Sequence, residues 1–265
     1  KYNGKELDNV HGLNLYDYSA RYYEPGIGRF STVDPLAEKY YWVSPYAYAL
    51  NNPIKFIDPD GKAIVLSGAL SQKALKEMQG AVGSSITLTM TDDGTVCYTK
   101  NIEGDLSFNA KTIASIIDDS SVIIDLKTVN GDRTSTGNLM VGGTFMGNKV
   151  YSDKEGNKTV VADQEINPDV LGAADKHSGT PGSMTMHEIT EAYKGVQDSQ
   201  KSGESASPAT AIDANNPNSA YRKAHDKASF QNPVYQTMYD ANGKITTDAS
   251  KAVRVEWSVK NIQGK

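Results

Sequence analysis

Residues 184 to 195 read MTMHEITEAYKG, and three of them, His187, Glu188 and Glu191, have types and spacing suited to chemistry. On a helix His187 and Glu191 stand four residues apart, so both side chains lie on one face about one turn apart. Imidazole nitrogen and carboxylate oxygen bind zinc at about 2 Å, and three protein donors leave a fourth position for water. Glu188, beside the first donor, is placed to take a proton from that water, as Glu does in H-E-x-x-H sequences. Zinc lowers the pKa of such a water to about 7, which makes hydroxide available at neutral pH. The fifth position here is Glu191, where that pattern has a second His.

Two donors on one helix are too few, so a third must come from elsewhere. The chain holds four histidines, at 11, 177, 187 and 225. His225 sits in AYRKAHDKA, a second predicted helix 38 residues after His187. Pro217 precedes that helix, and Ala220, Ala224 and Ala228 permit close packing. Tyr221 stands one turn before His225 on the same face, where its hydroxyl can reach a developing oxyanion. His187, Glu191 and His225 together make a His₂Glu set, a composition found in zinc hydrolases.

A plainer alternative is an acidic surface helix in which Glu191 pairs with Lys194 or Lys223, worth under about 1 kcal/mol. Against it, burial of the apolar flank SMTM and of Ile189 carries the polar face inward, where a His/Glu pair needs partners. His177 in DKHSGTPGS reads as an exposed loop residue, with a substrate contact as its alternative. Asp226 is either solvated or, beside His225, a supporting acceptor or an alternative ligand. Cys97 lies in a strand pattern with no helix N-terminus to lower its thiol pKa, so a cysteine nucleophile is disfavoured. As the single cysteine it also excludes an internal disulfide framework and a multi-cysteine zinc site.

The elements that must carry these residues can be read from periodicity. AIVLSG is a strand, and SQKALKEMQGAVG has Ala74, Leu75 and Met78 at helical spacing. SSITLTMTDDGTVCYTK is a hairpin around Asp92, Asp93 and Gly94. SFNAKTIASIIDDS is a helix capped by Ser107 or Asn109, and VIIDLKTV is an apolar strand. A glycine-rich strand-and-turn region runs through NLMVGGTFMGNKVYSDKEGNKTVV; its GGTFMG lacks the Gly-Lys-Ser/Thr of a phosphate loop. The histidine-bearing helices follow, joined by a polar loop, with Asn218 or Ser219 capping the second. The C-terminal part reads as two strands around an Asn-Gly turn and one more strand. This order predicts an α+β fold.

At 265 residues the chain is long enough for one large or two modest domains. It has no apolar run of about 18 residues, so no membrane-spanning helix is expected. The opening KYNGKELDNV has neither an initiator Met nor a signal-peptide core and reads as part of a longer protein. Residues 1 to 62 differ from the rest, with 9 of the 15 tyrosines and turn signals in EPGIGRF, NNP and DPDGK. LNLYDYSARYY alternates, with Leu13, Leu15 and Asp17 on one face and Tyr16 and Tyr18 on the other. Short strands of this kind cannot bury their own edges, which marks the terminal part of a larger β assembly.

YDYSARYYEPGIGRFSTVDPLAE followed by SPYAYALNNPIKFIDPDGK resembles the RHS-repeat-associated core, the closing segment of RHS/YD-repeat proteins, over nearly all of residues 1 to 62. The resemblance implies a β-shell enclosing a variable C-terminal toxin, so that 63 to 265 are the toxin domain. Its implied partners are the rest of the shell, an immunity protein and a target inside a competing cell, reached by secretion or surface delivery. It also implies aspartyl-type self-cleavage near the second D-P-x-G, with Asp34 and Asp58 as the matching residues. Two carboxylates sharing a proton serve as base and acid on a peptide bond. The alternative is that both Asp-Pro pairs shape turns. After D-P-x-G this chain has Lys62, where cleaving members carry a hydrophobic residue.

HEITEAY and AYRKAHDKA resemble metallopeptidase toxin domains of the zincin group found at the ends of RHS proteins. That likeness implies Zn²⁺ on His187, Glu191 and His225, Glu188 as general base, Tyr221 as transition-state stabiliser, and a protein or peptide substrate. A nuclease toxin is the rival enzyme. Residues 63 to 265 hold 20 basic against 24 acidic side chains, which gives phosphate no general attraction. A binding or adhesion module displayed by the shell is the rival outside enzymology.

Overall fold

The computed structural model describes residues 7–8, 14–17, 21–33, 44, 64–119, 121–152, 156, 158–210, 213 and 216–260. The chain divides into two compact units, residues 1–63 with 117–120, and residues 64–116 with 121–265.

In the first unit four short strands form an antiparallel meander: β1 (Leu7–Asp8), β2 (Leu15–Asp17), β3 (Tyr22–Glu24) and β4 (Arg29–Phe30). The turn signal in EPGIGRF becomes the β3–β4 connection, where the amides of Ile27 and Gly28 both donate to the Glu24 carbonyl. Tyr23 and Phe30 are buried and meet edge to face at 6.1 Å, and the Arg21 guanidinium lies 3.7 Å from the Phe30 ring centre. Asp34, Asp58 and Lys62, the residues of the self-cleavage reading, lie outside the described residues.

The second unit begins with β5 (Ile64–Ser67) and α1 (Ser71–Val82), then the hairpin β6 (Ile86–Met90) and β7 (Val96–Lys100). Next come α2 (Phe108–Ile117), β8 (Val122–Thr128), β9 (Gly143–Ser152) and β10 (Lys158–Ile166). Helices α3 (Pro168–Ser178), α4 (Ser183–Ser202) and α5 (Ala220–His225) follow, and β11 (Tyr235–Tyr239), β12 (Ile245–Thr246) and β13 (Arg254–Ser258) close the unit. The architecture is α+β, with a mixed central sheet ordered β5-β8-β10-β9. Strands β5, β8 and β10 are parallel, and β9 runs antiparallel to β10 at one edge. Ile64, Ile124, Leu126, Val160 and Ile166 fill this sheet and are fully or almost fully buried.

Helix α4 organises the site. It packs on β8, β9 and β10 and against α1, α3 and α5. Every side chain from Met184 to Ala192 is buried, because this half of the helix is covered on all sides. Met184, Met186, Ile189 and Val196 supply its apolar contacts, each worth about 1.5–3 kcal/mol on full burial. The polar residues between them are therefore committed to internal partners.

Two helices differ from the sequence reading. The segment around His177 is a helix, not a loop. Asn167 accepts from the Asp169 amide as N-cap, Pro168 takes the first turn, and Gly179 ends α3 in the left-handed conformation. His177 is exposed on its last turn. Helix α5 is shorter than NSAYRKAHDKASFQ suggests, spanning six residues, with Ser219 Oγ accepting from the Arg222 amide at 3.0 Å. Six residues are too few for a stable helix in isolation, so α5 depends on packing, with Ala224 fully buried.

Candidate metal centre

His187 and Glu191 project from one face of α4, and α5 lies across that face and presents His225. His187 Nε2 lies 3.2 Å from His225 Nδ1, His225 Nδ1 lies 2.7 Å from Glu191 Oε2, and His187 Nε2 lies 3.9 Å from Glu191 Oε2. Among the described residues these three form the one cluster of three or more His, Cys, Asp or Glu donors close enough to share a cation. Glu191 is 2% exposed and does not form a surface ion pair.

Two of the three donors are oriented from behind. The Ser229 carbonyl lies 2.6 Å from His187 Nδ1 and can only accept, so Nδ1 carries the proton and Nε2 presents its lone pair to the cluster. Burial holds the His187 pKa below the ordinary imidazole value, and nearby His225 acts in the same direction, so the ring is neutral at pH 7. Gln164, on the face of β10 toward α4, donates from Nε2 to Glu191 Oε1 at 3.2 Å and to Glu188 Oε2 at 2.6 Å. That amide turns Glu191 so that Oε2 faces the histidines.

Glu188 is 4% exposed and lies against the sheet. Burial, followed by repulsion from Glu191, pushes its pKa well above the usual carboxylate range, and the Gln164 hydrogen bond opposes them. Its carboxyl also lies directly against Gly143, at the start of β9. A Cβ there would stand 2.1 Å from the Glu188 carboxyl carbon, so this position accommodates only hydrogen. The Tyr221 ring lies 5.5 Å from the His225 ring at 35°. Burial first, then the carboxylates of Glu191 and Glu188, raise its phenol pKa, which keeps the hydroxyl protonated and able to donate.

The donor set fits zinc. Bonds of about 2.0–2.1 Å in a tetrahedron place donors about 3.3 Å apart, and the observed edges of 2.7, 3.2 and 3.9 Å bracket that spacing. Two imidazole nitrogens and one carboxyl oxygen, with His187 and Glu191 held from behind, match what such a cation requires. A proton on His225 Nδ1 bridging to Glu191 and a cation at the same point exclude each other.

The remaining sequence candidates fall elsewhere. Asp226 pairs with Arg222 at 2.7 Å on the exposed side of α5, and Cys97 is half-buried in β7. Gln164, Thr190 and Ser229 are site residues that the sequence reading missed. Gln164 gave no distinct signal, being the middle of three consecutive polar residues in VVADQEI. Ser229 gave none, since its contribution is a backbone carbonyl.

This α+β chain is similar to parts of two curated proteins. It is 48% identical over 65 residues to Salivary gland surface protein 1 of Aedes aegypti, a match covering 24% of this chain and 2% of that protein. It is 41% identical over 63 residues to Toxin subunit YenC2 of Yersinia entomophaga, covering 24% of this chain and 6% of that protein. The chain thus spans a small fraction of the length of either relative. No family model matches the chain, and no solved structure matches it. No helix among the described residues is long and apolar enough to cross a membrane.

Proposed function

We propose that residues 63–265 form a zinc-dependent peptidase, the toxic cargo of an RHS-type protein whose closing β-shell segment is residues 1–62. The observation that carries this reading is the meeting of His187 Nε2, Glu191 Oε2 and His225 Nδ1 beside a buried Glu188. The partial similarity to a toxin subunit supports the toxin context, and the division of the chain near residue 64 agrees with separate casing and cargo. In this reading the chain is delivered out of the producing cell, and its partners are the rest of the shell, an immunity protein and a protein or peptide substrate.

His187, Glu191 and His225 would hold zinc, which when bound would supply a Lewis acid and bring the pKa of water to about 7. Glu188 takes the proton from the attacking water and passes it to the leaving amine, a task suited to a carboxyl whose proton affinity burial has raised. Tyr221 keeps its hydroxyl proton and donates a hydrogen bond to the oxyanion that forms on the attacked carbonyl. Gln164 holds Glu188 and Glu191 at fixed separation through both events. A nuclease reading has less support, since the acidic residues of this half outnumber the basic ones.

The test is elemental analysis of the full chain purified without chelator. One zinc per chain is expected, with none in His187→Ala. Zinc-free wild-type protein, after dialysis against micromolar zinc, defeats the proposal.

A further inference from the structure

We propose that Asn232 is a positioning residue for the His187, Glu191 and His225 cluster, acting through the short strip of residues 229–232. This inference rests on the metal reading above and adds what holds that centre in register.

The strip leaves α5 and runs back along α4 toward its N-terminus, attached at Ser229, Phe230 and Asn232. At its near end the Ser229 amide donates to Thr190 Oγ1 at 2.9 Å, and its carbonyl takes the His187 Nδ1 proton at 2.6 Å. In the middle, Ser183 Oγ donates to the Phe230 carbonyl at 3.3 Å. At its far end the buried Asn232 donates from Nδ2 to Asp175 Oδ1 at 2.8 Å and to Thr180 Oγ1 at 2.7 Å, and its amide lies 3.1 Å from Met184 Sδ. Asp175 is itself buried and accepts from the Met184 amide in the first turn of α4 at 3.1 Å with each oxygen.

One carboxylate on α3 therefore fixes two things at once. It caps the helix that carries His187 and Glu191, and through Asn232 it anchors the strip that leads from His225 and orients His187. Gly182, the N-cap residue just before α4, supplies no side-chain cap, so Asp175 does that work from outside the helix. Sliding or tilting of α4 against α5 would have to break the Asn232 contacts as well as those of Ser229. The centre needs its three donor atoms held to fractions of an ångström, and groups that orient ligands from behind alter metal affinity by about 10–100-fold when removed.

The experiment measures zinc Kd by chelator competition on the full chain, for wild type, Asn232→Ala and Thr180→Val, with Val82→Ala as a core control in α1. Thermal melts and the visible spectrum of the cobalt-substituted proteins accompany it. Asn232→Ala is expected to weaken zinc binding about tenfold and to change the cobalt bands, which report coordination geometry. Thr180→Val, which removes one of the two Asn232 acceptors, is expected to do so less. Val82→Ala is expected to lower the melting temperature and leave Kd and spectrum unchanged. If Asn232→Ala destabilises like Val82→Ala while Kd and cobalt bands match wild type, Asn232 is merely structural and the inference fails. If wild type binds neither zinc nor cobalt, the metal reading fails first and the inference with it.

Discussion

His187 Nε2 and His225 Nδ1 lie 3.2 Å apart across 38 residues of chain, with no proton available from His187 on the facing side. The neutral His187 ring spends its proton on the Ser229 carbonyl, so it offers a lone pair. Glu191 Oε2 offers another to the same point. Such concentrated acceptor character inside a protein is costly unless a cation or a proton sits among the atoms.

Replacing Tyr221 by Phe removes a donor and keeps the ring against His225. In the proposed peptidase reaction turnover is expected to fall about 10²-fold, with zinc content unchanged. Steady-state kinetics paired with metal analysis checks this, and a variant as fast as wild type removes Tyr221 from the reaction.

Glu188→Gln separates acid–base chemistry from metal retention. Turnover should drop by about 10²–10⁴-fold, and zinc should stay. Stability moves the other way. Burial raises the Glu188 pKa in the folded state, so ionising it opposes folding as pH rises above the unfolded value. In chelator-treated protein Glu188→Gln should be more stable than wild type at pH 8, with the difference shrinking toward pH 4.5. Urea titrations at several pH values read it directly.

Gly143→Ala tests the closeness of sheet and carboxyl. The added methyl meets Glu188, so either the carboxyl moves or β9 shifts, at a cost of about 1–3 kcal/mol. Activity is expected to be lost in a protein that still folds and still binds zinc. Wild-type turnover in that variant contradicts the placement of Glu188.

Asp175 gives a second pH signature, distant from the centre. Burial, with a smaller contribution from Glu77, raises its pKa from 3.8 to about 6, although the Met184 amide and Asn232 pull it down. The folded protein therefore holds this proton more tightly than the unfolded chain. The stability Asp175 contributes is full below 3.8 and declines as pH rises to about 6. Relative to Asp175→Asn, wild type should lose stability across that interval and run parallel to it above. Denaturant midpoints that track each other throughout exclude the raised pKa.

The parts of the centre that were legible in the sequence are those written as side chains at helical spacing. His187, Glu188 and Glu191 share a helix register, and Tyr221 and His225 repeat one turn apart on the next. The hairpin around Asp92, Asp93 and Gly94 and the α+β order were legible for the same reason, because local periodicity dictates them. Helix α3 was also readable, since Asn167 and Pro168 open it and Gly179 closes it, yet its small residues made its apolar face faint. What the sequence hid is tertiary. Gln164 meets the two carboxylates only because β10 lies under α4, and the same residue on an exposed strand would mean nothing. The Ser229 carbonyl is common to every residue type. Gly143 reads as a turn former until a carboxyl is found against it.

The brevity of α5 makes the three-donor cluster depend on tertiary structure. Six residues do not hold a helical turn unaided, so the imidazole at 225 keeps its place through packing against α4 and the hydrogen bonds that tie Ser229 to it. Without that packing the chain offers two donors, His187 and Glu191, from one helix. The three-donor cluster is thus a property of the finished tertiary fold and of no local segment of the chain.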